Sequence, residues 1–351
     1  MISQLNVRQK AEEKEESLSP CAVRSKQSRG RLRYEEPCPV RTAFQHDRDR
    51  IIHSKAFRRL KHKTQVFIAP QGDHYVTRLT HTLEVSQIAR TIARALNLNE
   101  DLTEAMALGH DLGHTPFGHV GEEVLNEIYH QGFRHNEQSL RTVDLLENDG
   151  KGLNLTWEVR DGILNHSKSK ASVLEEDWGK VGTLEGEVCK IADIVAYINH
   201  DIDDAIRAGI ITEDNLPSSA IVALGHSRSQ RINTMVCDII SQSWAVTGYD
   251  KTASPAITMN PRTLEATNTL RDFLFDRVYN VNAAQDEAER ARKIIRLLYG
   301  YFNKHEDRLP PEYSLHSDET GRKVVDYIAG MTDQYASRLT EELSLIKGGT
   351  K

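Results

Sequence analysis

The feature that most constrains the fold of this chain is an apolar repeat with steps of mostly three and four residues. In the segment LTHTLEVSQIARTIARALNL (79–98), the repeat runs through Leu79, Leu83, Val85, Ile88, Ile92 and Leu96. This spacing places apolar side chains on one face of an α-helix, whereas the strict alternation of a half-buried strand is scarce. The sequence therefore predicts an all-α fold, with at most a small hairpin near residues 63–77.

The same pattern returns along the chain and divides it into parts. Further helices are predicted at 41–60, from Asp101 as a candidate N-cap, and at 136–148, 156–166, 185–208, 231–243, 262–279, 283–302 and 322–345. We predict a flexible N-terminal segment at 1–40, a catalytic core at 41–210 and a helical C-terminal extension at 211–351 that packs on the core. Residues 167–184 are predicted to form a surface insertion.

Composition excludes several classes of protein. The 351 residues carry a formal net charge of −6, which lacks the basic excess of a typical nucleic-acid-binding domain. The four cysteines are far apart and form no CxxC pair, so neither a cysteine-rich zinc site nor a disulfide framework is expected. No apolar run approaches the roughly 18 residues of a membrane span, and the N-terminus has no signal-peptide stretch. We therefore expect a cytoplasmic protein with no membrane partner.

One short segment, GHDLGHTPFGHVGEE (109–123), gathers three histidines and three carboxylates. Adjacent side chains on a helix diverge by about 100°, so His110 and Asp111 can share a metal only where a helix ends or the chain turns. Gly113 and Pro116 supply such a turn. Any further ligands must come from other helices.

His81 and Asp193 are the candidates for those ligands. Each alone has an ordinary explanation, since His81 fits a hydrogen-bonded core histidine and Asp193 fits a buried ion pair with Lys190 or an arginine. A carboxylate within the apolar run IADIV is costly if it is ionised and unpaired, and a cation removes that cost. Together with His110 and Asp111, these residues supply the imidazole and carboxylate ligands of Mn, Fe, Co, Ni or Zn.

Several motifs occur in a fixed order between about residues 40 and 336. They are RTAFQHDRDRIIHSKAFRRL, KTQVF, RLTHTLEV, GHDLGHTPFGHVGEE, HNEQS, IADIVAYINHDIDDAI and VVDYIAGMTDQYA. In this set the chain resembles the HD-domain phosphohydrolases, specifically the deoxyguanosine triphosphate triphosphohydrolase-like proteins. The His-Asp pair alone is a weak signal, because it also occurs at His46/Asp47 and His200/Asp201, but the ordered set is specific.

The resemblance implies an HD-domain helical core and assigns roles around one divalent metal. It implies His81, His110, Asp111 and Asp193 as metal ligands, and His119 and Glu122 as the catalytic histidine and the carboxylate that orients it. His114 corresponds to an additional pocket histidine, and His135 to a residue that contacts phosphate. Mg²⁺ on the substrate phosphates is compatible with this assignment.

The implied reaction is hydrolysis of dGTP, or of several dNTPs, to a deoxynucleoside and tripolyphosphate. Arg78 corresponds to a phosphate-binding arginine and Gln65 to a residue beside the sugar or base. Tyr197 is implied to stack on the deoxyribose, and Asp201 to accept a hydrogen bond from its 3′-hydroxyl. His119 either gives a proton to the leaving oxygen or orients the attacking water.

The resemblance also implies a homo-oligomer, a hexamer or a tetramer, and leaves room for a dNTP activator. Three other hypotheses remain open from the residues alone. One is a zinc peptidase, because His110 to His114 copies the HExxH spacing with Asp in place of Glu. Another is a different HD reaction, as a nucleotidase or phosphodiesterase. The last is a non-catalytic module that senses nucleotides or binds single-stranded nucleic acid.

Overall fold

The computed structural model describes residues 6–68, 74–167, 181–249, 254–280 and 286–348. Within these ranges the regular structure is helical, and β-type pairing is limited to two isolated bridges. The all-α prediction is confirmed. The hairpin predicted near 63–77 is represented by a single bridge between Thr64 and Thr77, and residues 69–73 lie outside the described residues. No helix in the described ranges is both long and apolar enough to cross a membrane.

The α-helices follow one another along the chain with short connections. They are α1 (Val7–Glu15), α2 (Ala43–His53), α3 (Lys55–Arg59), α4 (Arg78–Ala95), α5 (Glu100–Gly109), α6 (Gly118–Ile128), α7 (His135–Arg141), α8 (Glu147–Gly150), α9 (Trp157–Asn165), α10 (Leu184–Arg207), α11 (Ser218–Leu224), α12 (Arg228–Gln242), α13 (Pro261–Leu274), α14 (Asp286–Lys304), α15 (Thr320–Ala329) and α16 (Asp333–Gly348). Short 3₁₀ turns lie at Ser25–Gln27, Leu60–His62, Glu213–Asn215, Trp244–Thr247, Glu306–Arg308 and Pro311–Ser314, and π turns at Thr142–Leu146 and Phe275–Tyr279.

Some helix ends differ from the sequence prediction. Asp101 is not the N-cap of α5, because the side chain of Asn99 accepts the hydrogen bond from Leu102 N–H instead. The helix predicted at 322–345 is two helices, α15 and α16, since the Thr332 hydroxyl accepts from Tyr335 N–H and starts a new helix. Of the insertion predicted at 167–184, residues 168–180 lie outside the described residues.

The chain divides into two compact units. The first unit comprises Met1–Ile52, His81–His110 and Asn154–Val278, and the second unit comprises His53–Thr80, Asp111–Leu153 and Tyr279–Lys351. In the first unit α10 packs on α5, α9, α12 and α13, and most of its side chains are buried. This helix therefore carries polar residues into an apolar interior. The domain boundaries at 40 and 210 stay a prediction.

The core of the second unit forms around α14. This helix packs on α6, α15 and α16, and its buried side chains recur at three- and four-residue steps. They are Ala288, Ala291, Ile294, Ile295, Leu298 and Phe302. On the facing helix α6, Val120, Val124 and Leu125 are also buried. The apolar contact fixes α6, which carries His119 and Glu122.

Candidate metal centre and catalytic cluster

Three of the predicted metal ligands lie together in the first unit. His81 lies in the first turns of α4, His110 is the C-cap of α5, and Asp193 lies on α10. His81 Nε2 is 3.3 Å from His110 Nε2 and 3.2 Å from Asp193 Oδ1. Both imidazoles are buried, and the Asp193 side chain is 24% exposed. Three separate helices thus bring three donor groups to one point.

These donor atoms fit a divalent transition metal. His110 Nδ1 lies 2.7 Å from the Ala107 carbonyl and donates to it, so His110 Nε2 keeps a lone pair. An ion about 2.1 Å from each donor would hold neighbouring donors roughly 3 to 3.4 Å apart. The two separations at His81 Nε2 lie in that range. The fourth predicted ligand, Asp111, follows His110 directly in the chain.

The two ligand imidazoles are the middle pair in a row of four buried rings. The ring centroids of His166, His110, His81 and His200 are separated in turn by 5.0, 5.4 and 5.1 Å. His81 Nδ1 lies 2.9 Å from His200 Nε2, and His200 Nδ1 lies 2.8 Å from Asp201 Oδ1. Burial lowers the pKa of His200, but the Asp201 carboxylate outweighs burial and the net shift is upward.

In the second unit, the predicted phosphate-binding arginine pairs with a predicted metal ligand. Arg78 is 1% exposed, and its Nη1 donates to Asp111 Oδ2 at 2.6 Å. Gln65 is also buried, and its side-chain Oε1 has no hydrogen-bond partner among the described residues. A buried amide oxygen without a partner is costly in a folded protein, so this atom is suited to accept from a ligand.

The remaining predicted catalytic residues surround one carboxylate of the second unit, that of Glu122. Glu122 Oε1 accepts from His135 N–H at 2.8 Å and lies 2.8 Å from His135 Nδ1. Its other oxygen lies 3.4 Å from His119 Nδ1. The His114 ring stacks on His135, with the centroids 4.5 Å apart and the planes inclined by 18°. The sequence-predicted residues His114, His119, Glu122 and His135 therefore form one cluster, which we call the Glu122 cluster.

The groups of the Glu122 cluster differ in their protonation. Burial would raise the pKa of Glu122, but contact with His135 and His119 holds it well below the usual range. Burial would lower the pKa of His135, and the Glu122 carboxylate raises it instead. Burial, together with Arg78 and His135, lowers the pKa of His114 far below that of a free histidine. The cluster thus combines a charged His135–Glu122 pair with a neutral His114.

A tight bend separates Asp111 from α6. Phe117 and Gly118 both have positive φ, at 62° and 58°, and Phe117 N–H donates to Asp333 Oδ1 at 2.9 Å. A Cβ atom on Gly113 would lie 2.1 Å from the backbone nitrogen of Ser139, so that position accepts only glycine. The bend allows residues only a few positions apart to serve different parts of the site.

Two of the predicted substrate residues lie on α10. Tyr197 and Asp201 follow Asp193 by four and eight residues, and so lie on the same side of the helix. Tyr197 is partly buried, and its pKa is raised by burial and then by the neighbouring Asp193. Asp201 is 3% exposed and contacts His200.

Sequence reasoning missed several buried residues around these groups. His200 was treated only as part of a chance His-Asp pair, although it lies seven residues after Asp193 and hence on the same helix face. His166 gave no signal of its own. Lys63 is fully buried in the second unit, where its Nζ donates to the carbonyls of His114 and Ala329, and burial lowers its pKa to about 7.

The backbone argues against a zinc peptidase. The HExxH motif needs both histidines on one helix, four residues apart. Helix α5 ends at Gly109, and the next residues form a turn. His110 and His114 are therefore not on one continuous helix.

Comparison with known proteins places the chain in a family. An HD domain model matches residues 78–198, and a phosphohydrolase-associated domain model matches residues 257–342. A deoxyguanosinetriphosphate triphosphohydrolase-like protein from Caldanaerobacter subterraneus is 56% identical, over 97% of this chain and 96% of that protein. The chain belongs to the deoxyguanosinetriphosphate triphosphohydrolase-like proteins. As a member, it is a metal-dependent HD-domain phosphohydrolase.

Other deoxyguanosinetriphosphate triphosphohydrolase-like proteins match over similar lengths. The one from Desulfatibacillum aliphaticivorans is 51% identical over 95% of this chain and 96% of its own length. The one from Clostridium tetani is 45% identical over 99% of this chain and 98% of its own length. A crystal structure of a hypothetical protein from Aquifex aeolicus has a TM-score of 0.45 and 19% identity, and covers 84% of this chain and 67% of that one.

Proposed function

We propose that this protein hydrolyses deoxynucleoside triphosphates, dGTP among them, at the α-phosphorus, releasing a deoxynucleoside and tripolyphosphate. The observation that carries the proposal is the convergence of His110 Nε2 and Asp193 Oδ1 on His81 Nε2, at 3.3 and 3.2 Å. It is supported by relatives of that name that match almost the whole chain.

In this proposal His81, His110, Asp111 and Asp193 hold one divalent metal, which is Mn, Fe, Co, Ni or Zn. When bound, the metal would polarise a phosphoryl oxygen and lower the pKa of a water molecule. The oxygen of water bonds to the α-phosphorus while the bond from that phosphorus to O5′ breaks. The released tripolyphosphate keeps the oxygen of water, and O5′ takes up a proton.

His119 is the proposed donor of that proton. Its side chain is 74% exposed and its Nδ1 lies near Glu122, which leaves Nε2 to face a substrate and can fix the ring orientation. His135, held positive by Glu122, and Arg78 are suited to the negative phosphates. Tyr197 and Asp201 are proposed to contact the deoxyribose, and Gln65 the sugar or base.

The test is a product screen with the full-length, metal-loaded protein. All four dNTPs and all four rNTPs are supplied singly and in pairs, and tripolyphosphate, pyrophosphate and phosphate are measured separately. The proposal predicts tripolyphosphate and free deoxynucleoside from dNTPs in equal amounts, and little product from rNTPs. The paired assays test for a dNTP activator. Release of a nucleoside monophosphate or diphosphate as the first product would contradict the proposal.

A further inference from the structure

We infer that His200 is a positioning residue that fixes the tautomer and ring orientation of the metal ligand His81. This inference rests on the proposed metal site. His200 is fully buried, and its Nε2 lies 2.9 Å from His81 Nδ1, on the side of that ring opposite to Nε2. His200 is placed by α10, the helix that also supplies Asp193.

The two ligand histidines are oriented in different ways. His110 Nδ1 donates to a carbonyl three residues earlier, that of Ala107, so its own helix fixes the ring. The ring of His81 is instead contacted at Nδ1 by a side chain of another helix, that of His200. Partners of this kind hold a ligand ring in its metal-binding orientation and raise its basicity.

Only one arrangement of protons on this pair leaves His81 ready to bind a cation. His81 must carry its proton on Nδ1 and donate it to His200 Nε2, which leaves a lone pair on His81 Nε2. His200 must then carry its own proton on Nδ1. Asp201 Oδ1 lies 2.8 Å from that nitrogen, close enough to favour a proton there, although the contact is not aligned as a hydrogen bond.

The test compares metal binding by full-length variants that keep or remove an acceptor at position 200. In His200→Leu the volume is similar but no acceptor remains, whereas in His200→Gln the amide oxygen can accept from His81 Nδ1–H. His46→Ala is the control, because His46 is a partly buried histidine of the first unit that also precedes an aspartate. Each metal-free protein is titrated with Co²⁺, with the affinity measured by calorimetry and the ligand field by visible absorption.

We expect His200→Leu to weaken Co²⁺ binding by about 10- to 100-fold and to change the visible spectrum. His200→Gln should recover most of the affinity, and His46→Ala should match the wild type. Circular dichroism of the metal-free proteins verifies folding, and His200→Asn, with a shorter amide, replaces the leucine variant if that protein does not fold. Equal affinity and an unchanged spectrum in a folded variant without the acceptor would overturn the inference and leave the metal site intact. A wild-type protein that binds no Co²⁺ would overturn the proposed metal site itself.

Discussion

At the scale of single residues, His119 differs from the other groups assigned to the chemistry. Its side chain is 74% exposed, whereas His114 and His81 are almost fully buried. A substitution at an exposed position costs little stability, so a change in rate there can be assigned to chemistry. This makes His119 the cleanest position at which to test the Glu122 cluster.

We predict that His119→Ala lowers kcat for dGTP by about 10²- to 10⁴-fold, because proton transfer to O5′ loses its donor. Metal content and the midpoint of thermal unfolding should stay close to those of the wild type. His130→Ala is the matched control, since His130 is a similarly exposed histidine that lies 3.5 Å from a carboxylate of Glu319. Full turnover in His119→Ala would remove His119 from the mechanism.

Glu185 provides a test of the fold rather than of the chemistry. Its side chain is fully buried on α10, and its Oε1 accepts from Val23 N–H at 2.9 Å and Asn99 N–H at 3.1 Å. Nearby, Glu15 accepts from Ser25. The segment before α2 is thus attached to the first unit by two buried carboxylates, and its predicted flexibility stays a prediction.

Burial raises the pKa of Glu185 from its ordinary 4.5 to about 7. The folded state therefore binds this proton more tightly than the unfolded state, and the stabilisation is complete below pH 4.5 and lost as the pH rises to 7. Glu185→Gln mimics the protonated acid. We predict that the free energy of unfolding of the wild type falls relative to this variant across that window, by at most about 3 kcal/mol.

Urea unfolding of both proteins at pH 5, 6, 7 and 8 measures this difference. Glu16→Gln is the control, because the Glu16 side chain is 62% exposed. The wild type and Glu185→Gln should differ most at pH 8. Parallel pH profiles for these two proteins would show that the carboxyl is already ionised in the folded state.

The sequence predicted individual residues best where their chemistry is distinctive. The convergence of His81, His110 and Asp193 agrees with the expectation drawn from residue types and from the family motifs. The partner of His81 was missed because a buried histidine next to an aspartate has no distinctive spacing. Only the approach of α10 to α4 in three dimensions gives His200 its place.

At the scale of elements, the bend between Asp111 and α6 depends on glycine. A Cβ atom at Gly113 would lie 2.1 Å from Ser139 N and 2.3 Å from the carbonyl carbon of Gln138, and backbone atoms cannot yield as a flexible side chain can. Helix α7, which carries His135, would have to move away. The Glu122 cluster therefore needs this close approach of two backbone segments.

We predict that Gly113→Ala lowers the free energy of unfolding by about 1–3 kcal/mol or more and reduces activity with it. Gly300→Ala is the matched control, because Gly300 lies in the interior of α14 and a Cβ atom there meets nothing within 4 Å. This variant should be more stable than the wild type by roughly 0.5–1 kcal/mol. Chemical denaturation of both variants decides the matter, and a Gly113→Ala protein of normal stability would contradict the tight bend.

Periodicity predicted the long helices but not their ends. Helix α10 begins and ends within a residue of the sequence prediction, since its apolar repeat is long and uninterrupted. The break between α15 and α16 was missed because VVDYIAGMTDQYA continues the apolar pattern across it. The end of a helix depends on a single capping hydrogen bond, here that of Thr332, which competes with continued helix and is not visible in the pattern.

At the scale of the whole molecule, the proposed metal links folding to activity. A cation that binds three helices of the folded first unit, and does not bind the unfolded chain, stabilises the fold according to its affinity. At a free concentration 100 times the dissociation constant, the gain is about 2.7 kcal/mol. The thermal midpoint should therefore report on the metal site independently of turnover.

We predict that Mn²⁺ or Zn²⁺ raises the thermal midpoint of the chelator-treated protein by a few degrees and restores dNTP hydrolysis. Asp193→Asn should abolish the rise, because it removes the carboxylate that lies 3.2 Å from His81 Nε2. Asp203→Asn, on the same helix but paired with Arg228 and Arg231, should keep it. An equal rise in all three proteins would place the stabilising cation elsewhere.

The most direct test of the account is the fate of the oxygen of water. The metal-loaded protein is supplied with dGTP in ¹⁸O-enriched water, and both products are examined by mass spectrometry. Attack at the α-phosphorus predicts one ¹⁸O atom in tripolyphosphate and none in deoxyguanosine. Label in the nucleoside, or pyrophosphate and dGMP as the products, would contradict the proposed reaction.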